Sequence, residues 1–354
     1  MVVSRCLQRG AVLSLLVAVA IAAVGCVKPR KRPNLPKIFA EAREYVGKTP
    51  IIVIPGALGS QLVNPSTGKI AWPSADRDGK EDIDLPISTD LAANRDELVA
   101  TRIVDTTDLS LLLPEVRVYV DLLETLESTA GYKRRSIDAP APDGASDAYY
   151  VFSYDWRRDN VENARLLARK IEALKTTLNR PDLKFNIIAH SMGGLIARYY
   201  AMYGDRDAIA DAQPPDWSGG ANISRLLLVG TPNRGAMDAL RSLVEGYNYY
   251  GGDVKRRGYF NKLDAELIFS LPSIYQLLPF SHAEQHVTAN LRLEPIDFYD
   301  PRVWAEHQWS VYDLKHRERV AKRFGPDAAR RLAEEEAFLA AVLARAHAFH
   351  EALE

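Results

Sequence analysis

The 354-residue chain is short of cysteine and of net charge, and each shortage narrows what it can be. Its only two cysteines, Cys6 and Cys26, lie near the N-terminus, so residues 27–354 form no disulfide and offer no thiol for catalysis or metal binding. Lys and Arg number 45 against 46 Asp and Glu, a formal charge of −1, which leaves no electrostatic footprint for nucleic acid. Metal-ligand patterns also fail. Among the acids of Ala75–Asp84, Gly79 comes too early for a calcium loop and Lys80 occupies a ligand position. In His282-Ala-Glu-Gln-His286 the glutamate is shifted by one from the zinc-protease spacing. No metal, no cofactor and no obligate protein partner is expected.

Long apolar runs are scarce too, the exception being Ala11 to Val24, interrupted by Ser14. Arg5 and Arg9 precede it and Ala23-Val24-Gly25-Cys26 closes it. Residues 1–26 therefore read as a targeting segment, and the small-x-small stretch ending in cysteine resembles a bacterial lipoprotein cleavage box, with Cys26 the lipidated residue. An uncleaved anchor is the alternative, although the run is short of the roughly 20 residues of a comfortable span. Either reading exports the chain and tethers it to a membrane. Val27 after the cysteine resembles lipoproteins sorted to the outer membrane. Residues 27–48, with Lys28, Arg30, Lys31 and Arg32 among Pro29, Pro33 and Pro36, read as a basic, extended tether.

The stretch with the most chemistry is Leu183–Tyr200. Phe185, Ile187 and Ile188 form a short apolar run, Leu195, Ile196 and Tyr199 recur at helical spacing, and Ala189-His-Ser-Met-Gly193 stands at the corner. A strained strand-to-helix turn that lifts a serine oxygen to the sheet's edge leaves no room for branches on either side. Such a turn makes Ser191 a candidate nucleophile, and the N–H of Met192, at a helix N-terminus, a candidate donor to an oxyanion. An ordinary glycine turn is the bland alternative.

Upstream, Ile51 to Ile54 is an unbroken β-branched run suited to a strand buried on both faces, ended by Pro55-Gly56. A loop at this position can supply a second oxyanion donor, placed at Ala57. Residues 65–115 read as a polar, irregular, solvated insertion. Tyr119–Leu126 reads as a helix stopped by Gly131, and Tyr149–Tyr154 as a strand. Asp159 with Glu162 fits a capping box before a helix whose stripe is Ala164, Leu167, Ile171, Leu174 and Leu178. Arg225 to Val229 supplies a further strand. The alternation of strands and helices is that of an α/β doubly wound, mainly parallel sheet.

Five blocks in order, Ile51–Leu62, Tyr154-Asp-Trp-Arg157, Ala189–Gly194, Gly230-Thr-Pro232 and Pro272–Pro279, resemble the lecithin:cholesterol acyltransferase family of α/β-hydrolases, in its bacterial lipase-like branch. The resemblance implies an α/β-hydrolase core over 49–235, a lid-like insertion over 65–115, a cap region over 236–325 and a C-terminal helix over 326–354. It implies a serine acyl hydrolase or acyltransferase acting on lipid esters, with Ser191 as nucleophile and the Ala57 and Met192 N–H groups as oxyanion hole. Tyr247–Tyr250, Leu271, Ile274 and Leu277 would then suit acyl contact, and core packing accounts for them equally well. In such hydrolases the acid and the histidine follow the last strands. Past Val229 no convincing strand follows, so the C-terminal strands have no counterpart, nor do the acid and base. Of the later histidines, His282, His286, His307, His316, His347 and His350, none is assigned as base. Two readings follow: a membrane-tethered serine esterase, lipase or acyltransferase, or a catalytically incomplete lipid-binding module.

Overall fold

The computed structural model describes residues 34, 37, 40–45, 47–73, 83–104, 106–107, 116–117, 119–140, 146–211, 213–248, 262–280, 285–287 and 293–354. The targeting segment with Cys26, most of the tether, the acidic run at 76–82, Tyr249, Tyr250 and His282 lie outside the described residues.

Five strands form one wholly parallel sheet. In chain order they are β1 (Ile51–Ile54), β5 (Lys133–Arg135), β6 (Ala148–Val151), β7 (Phe185–His190) and β8 (Ile223–Val229), with β2 (Ser60–Val63), β3 (Ile70–Trp72) and β4 (Val99–Ile103) in a separate small sheet. In space they run β8-β7-β1-β6-β5. β1 lies centrally, Ile52 opposite Ile187 on one side and Tyr150 on the other. Period-2 alternation then divides the strand residues between two faces. Ile52, Ile54, Tyr150, Phe185 and Ile187 enter a large core, whereas Ile51, Val53, Tyr149 and Val151 enter a smaller one closed by Tyr119, Leu123 and Leu126. Tyr119 stands at the N-cap of α1 (Val120–Glu124), Leu123 lies within it and Leu126 in its wide continuation through Thr129, with Gly131 following at φ +68°.

The large face is covered by α2 (Asn160–Thr177) and α3 (Met192–Tyr203). Asp159 caps α2 by accepting from the Val161 and Glu162 N–H groups. Only half of the expected capping box forms, because the Glu162 carboxylate is taken by Arg158 and Arg95. Behind these helices lies the long C-terminal helix α4 (Ala328–Leu353), with Phe338, Leu339, Val342, Leu343, Ala346, Phe349 and Leu353 all buried. Arg345 joins it to Asp159 and Asp207 at 2.9 Å each. Its last carbonyls, which no helical N–H can reach, accept from Arg198 (Leu353 O, 2.6 Å) and Tyr203 (Ala352 O, 2.8 Å).

The described part of the 65–115 insertion departs from the solvated loop the sequence suggests. Ser60–Val63 (β2), Ile70–Trp72 (β3) and Val99–Ile103 (β4) make an antiparallel sheet, and Trp72, Ile83, Leu85, Leu98 and Ile103 are buried. The sequence pattern concealed this because the buried residues are spread singly among polar ones, each docking on something distant in the chain.

β8 is one edge of the parallel sheet, and among the described residues nothing covers its second face. Leu227 and Val229, on the side away from α2 and α3, are 55% and 44% exposed, whereas a parallel sheet is ordinarily covered on both faces. An apolar edge of this kind invites pairing with other chains. Exchanging Leu227 and Val229 for lysine is expected to raise the monomer fraction in size-exclusion chromatography while changing stability by no more than roughly 0.5 kcal/mol. An unchanged aggregate fraction would remove this edge as the cause.

Candidate active site

Ser191 stands between β7 and α3 with φ +52° and ψ −127°. This is a costly conformation for any residue bearing a Cβ, and it persists only where the surroundings over-determine it. They do so here. The Ser191 N–H donates to Val229 O and its carbonyl accepts from the Gly194 N–H, both at 2.9 Å. A Cβ on Gly193 would lie 2.3 Å from Pro55 O, and one on Gly194 would lie 1.9 Å from Thr231 Oγ1. The two glycines therefore let α3 press against the end of β1 and the loop after β8, and that pressure fixes the corner.

The loop Pro55–Ser60 lies directly beside the serine, since a Cβ on Gly56 would sit 2.8 Å from Ser191 Cβ. Several of its backbone groups are bound. Tyr154 Oη donates to Pro55 O and the Gly56 N–H donates to Tyr119 Oη, each at 2.9 Å. Gly59 N–H reaches Gly56 O at 3.1 Å, Trp72 Nε1 reaches Leu58 O at 2.8 Å, and Trp156 Nε1 reaches Ser60 O at 3.1 Å. Leu58 is held at φ +62° within this mesh. Among the described residues no hydrogen bond takes the Ala57 N–H, nor that of Met192 at the first position of α3. Both donors of the sequence analysis are thus unspent, on the loop and the helix that meet at Ser191.

Beneath the loop lies a buried charge cluster. Arg157, fully buried, forks to Asp155 (2.9 and 2.8 Å) and Asp96 (2.5 and 2.8 Å) and also reaches Ile83 O at 3.1 Å. Burial alone would lower its pKa, but the hydrogen bonds it donates to Asp96 and Asp155 reverse this and raise it. Ser273 Oγ donates to Trp156 O at 2.5 Å, and Gln276 accepts from the Asn160 N–H at 2.8 Å. The described cap is therefore bolted to the Tyr154–Arg157 block. Leu271 is fully buried there, with Ile274, Leu277 and Tyr247 partly buried against the core.

Sequence reasoning overlooked Tyr119, Asp96, Ser60 and Trp72. Their only visible signal was the presence of aromatic or polar residues in otherwise plain segments.

No late histidine is joined to Ser191 by any interaction among the described residues. His316 lies 2.7 Å from Glu335, His347 3.4 Å from Glu351, and His307 stacks on Trp309. His286 falls in a strand whose side chains are outside the described residues. The nearer imidazole is His190, whose Nδ1 is 2.9 Å from Tyr119 Oη and whose pKa is pushed down by burial.

His350 is buried against Phe280, Tyr299 and Phe349, with Nε2 unpartnered, and burial, helped by Arg198 and His347, lowers its pKa to about 4. It stays neutral in the fold but is protonated in the unfolded chain below pH about 6.5. Its contribution is intact above that value and is lost as pH falls toward 4, by up to about 3 kcal/mol. Urea unfolding of His350→Leu is expected to lose that slope. His316 has the opposite sign, because its bond to Glu335 raises its pKa, so its contribution is full below pH about 6.5 and fades at higher pH.

The lecithin:cholesterol acyltransferase family model matches residues 102–318, well over half of the chain. The chain belongs to the lecithin:cholesterol acyltransferase family. The match spans the serine corner, the Tyr154–Arg157 block and the Pro272–Pro279 block, and begins after the Pro55–Ser60 loop. Family membership and the five-stranded parallel sheet around a serine corner make the fold that of an α/β-hydrolase. Membership also places this protein among enzymes that transfer or hydrolyse acyl groups of lipid esters. A solved structure described as the crystal structure of a Tle4–Tli4 complex is similar to this family member with a TM-score of 0.47 and 12% sequence identity, over 87% of this chain and 72% of that one. No curated protein matches it.

Proposed function

We propose that this family member is a membrane-tethered serine esterase, lipase or O-acyltransferase acting on lipid esters, with Ser191 as nucleophile. The observation that carries the reading is the strained Ser191 corner packed against a hydrogen-bonded loop on which, among the described residues, the Ala57 N–H has no partner. Attack by Ser191 Oγ on an ester carbonyl makes a tetrahedral intermediate whose oxyanion accepts from the Ala57 and Met192 N–H groups. Loss of the alcohol leaves an acyl-enzyme, which water or a second alcohol then resolves. The proton of Ser191 requires a base, and no described residue is assigned that role.

The test is labelling of the full chain with a fluorophosphonate, followed by peptide mapping. A single adduct on Ser191 supports the reading, and none, or one on another serine, sinks it.

A second reading is favoured by one observation: among the described residues no imidazole paired with a carboxylate is joined to Ser191 by a hydrogen bond. The protein would then be a lipid-binding module that keeps the pocket without the base. Turnover of short- and long-chain p-nitrophenyl esters separates the two, because a site without a base would be confined to roughly the 10³- to 10⁴-fold residual acceleration that binding and an oxyanion hole can sustain.

Export and anchoring through Cys26 form part of the same proposal, supported by the small-x-small-Cys stretch after an apolar run. Cys26→Ser or globomycin treatment is expected to abolish lipidation and move the protein out of the membrane fraction. An unchanged mass together with unchanged fractionation would favour the uncleaved anchor.

A further inference from the structure

Two buried tyrosines grip a single peptide unit beside the serine. The unit is Pro55–Gly56: its carbonyl accepts from Tyr154 Oη at 2.9 Å and its N–H donates to Tyr119 Oη at 2.9 Å. Tyr154 is fully buried and Tyr119 is 5% exposed, so neither bond competes freely with water. The phenols are close enough that Tyr119, after burial, is the second cause raising the Tyr154 pKa, so the Tyr154 hydroxyl stays protonated at neutral pH. The carbonyl and N–H of a trans peptide point in opposite directions, so two hydroxyls holding both ends fix the rotation of that plane. The next plane is fixed as well, because Gly56 O accepts from the Gly59 N–H at 3.1 Å. The N–H of that second plane belongs to Ala57 and points away from the turn, and among the described residues no acceptor takes it.

We infer that Tyr119 and Tyr154 are positioning residues that aim the Ala57 N–H at the oxyanion formed on Ser191. The inference rests on the proposed role of Ser191. Neither tyrosine touches substrate. Each acts through the Pro55–Gly56 plane, and they arrive from different parts of the chain, Tyr119 at the start of α1 and Tyr154 just after β6. A preorganised donor owes its effect to being held where charge develops, and removing one donor outright costs about 10²- to 10³-fold in kcat. A donor that remains but can swing should cost less, about 10- to 100-fold. Tyr119 also lies 2.9 Å from His190 Nδ1, so the same phenol fixes the imidazole next to the nucleophile in sequence.

The experiment compares Tyr119→Phe, Tyr154→Phe and the double variant with a control, Tyr199→Phe, which removes a buried hydroxyl bonded to the Ala208 N–H away from the loop. With a p-nitrophenyl ester, both single variants are expected to lose about 10- to 100-fold in kcat while KM stays within about twofold. The double variant should lose less than the product of the two, because both hydroxyls hold one plane. The control should lose thermal stability and keep kcat. A second readout needs no turnover: amide exchange at Gly56 and Ala57 should accelerate in both loop variants and not in the control. Unchanged kcat and unchanged exchange in both loop variants would overturn the inference, as would KM and kcat shifting together in step with Tm. Absence of ester turnover and of Ser191 labelling in the unaltered chain would defeat the proposed function instead, and amide exchange would still decide whether the clamp exists.

Discussion

Ser191→Ala is expected to abolish fluorophosphonate labelling and to reduce ester turnover to the level supported by binding alone. Two contributions make this the largest effect of any single change. The hydroxyl oxygen is the atom proposed to form the acyl bond, and no neighbouring group can substitute for it within the corner, because Gly193 and Gly194 bring only backbone and Met192 turns a fully buried side chain inward. In a serine hydrolase with its base in place, loss of the nucleophile costs on the order of 10⁶-fold in kcat. Where the base is missing the drop is smaller, since the starting rate is already low. The size of the loss therefore separates the two readings as well as testing the residue. The folded state should not suffer: alanine keeps the Cβ that fits against Gly56, and the backbone bonds of Ser191 to Val229 and Gly194 do not use the side chain. Thermal stability equal to or above that of the unaltered chain, combined with lost labelling, is the expected pair of results. Labelling that persists in Ser191→Ala would remove the nucleophile assignment.

The corner was legible in the sequence because its requirements are local. A β-branched run, a serine flanked by small residues and a helical stripe occur within eighteen consecutive residues, and the structure places β7, Ser191 and α3 accordingly. The α2 cap and the parallel order of the sheet follow from similarly local patterns. The Tyr154–Arg157 and Pro272–Pro279 blocks could be seen as blocks without their purpose being visible. Their reason is a mutual contact across more than a hundred residues, Ser273 on Trp156 and Gln276 on Asn160. The insertion was misjudged for the complementary reason. Asp96 sits in a polar segment, and no periodicity shows that its carboxylate meets a buried guanidinium 61 positions later. Tyr119 escaped in the same way, since a tyrosine opening a helix reads as core until the loop it holds is in view. An absent neighbouring strand predicts an open edge, whereas the bare face of β8 depends on which helices cover the sheet.

Arg157→Leu is expected to destabilise the fold by about 3 to 5 kcal/mol, the range for breaking a buried ion pair by removing one partner. The guanidinium holds five N–H groups against two carboxylates and a carbonyl, and leucine would leave Asp155 and Asp96 facing each other without compensation. Asp96 is partly exposed, its side chain 23% accessible, so water can relieve one charge, and the lower half of that range is the better expectation. The consequence reaches the site through identified contacts. With Asp96 and Ile83 released, the described insertion keeps its hold on the core through Leu85 N–H to Ser270 Oγ and through Trp72, which packs edge-on against Trp156 at 5.6 Å and donates to Leu58 O. Loosening Trp72 would relax the φ +62° turn at Leu58, next to Ala57. The variant should therefore show faster proteolysis within residues 83–104 and slower Ser191 labelling below its unfolding temperature. Arg157→Lys supplies the control, because it retains the charge without the planar fork that engages two carboxylates at once. Its stability should lie between those of the leucine variant and the unaltered chain. If the leucine variant unfolds at the same urea midpoint as the unaltered chain, the cluster does not anchor the insertion and the coupling to the Leu58 turn falls with it.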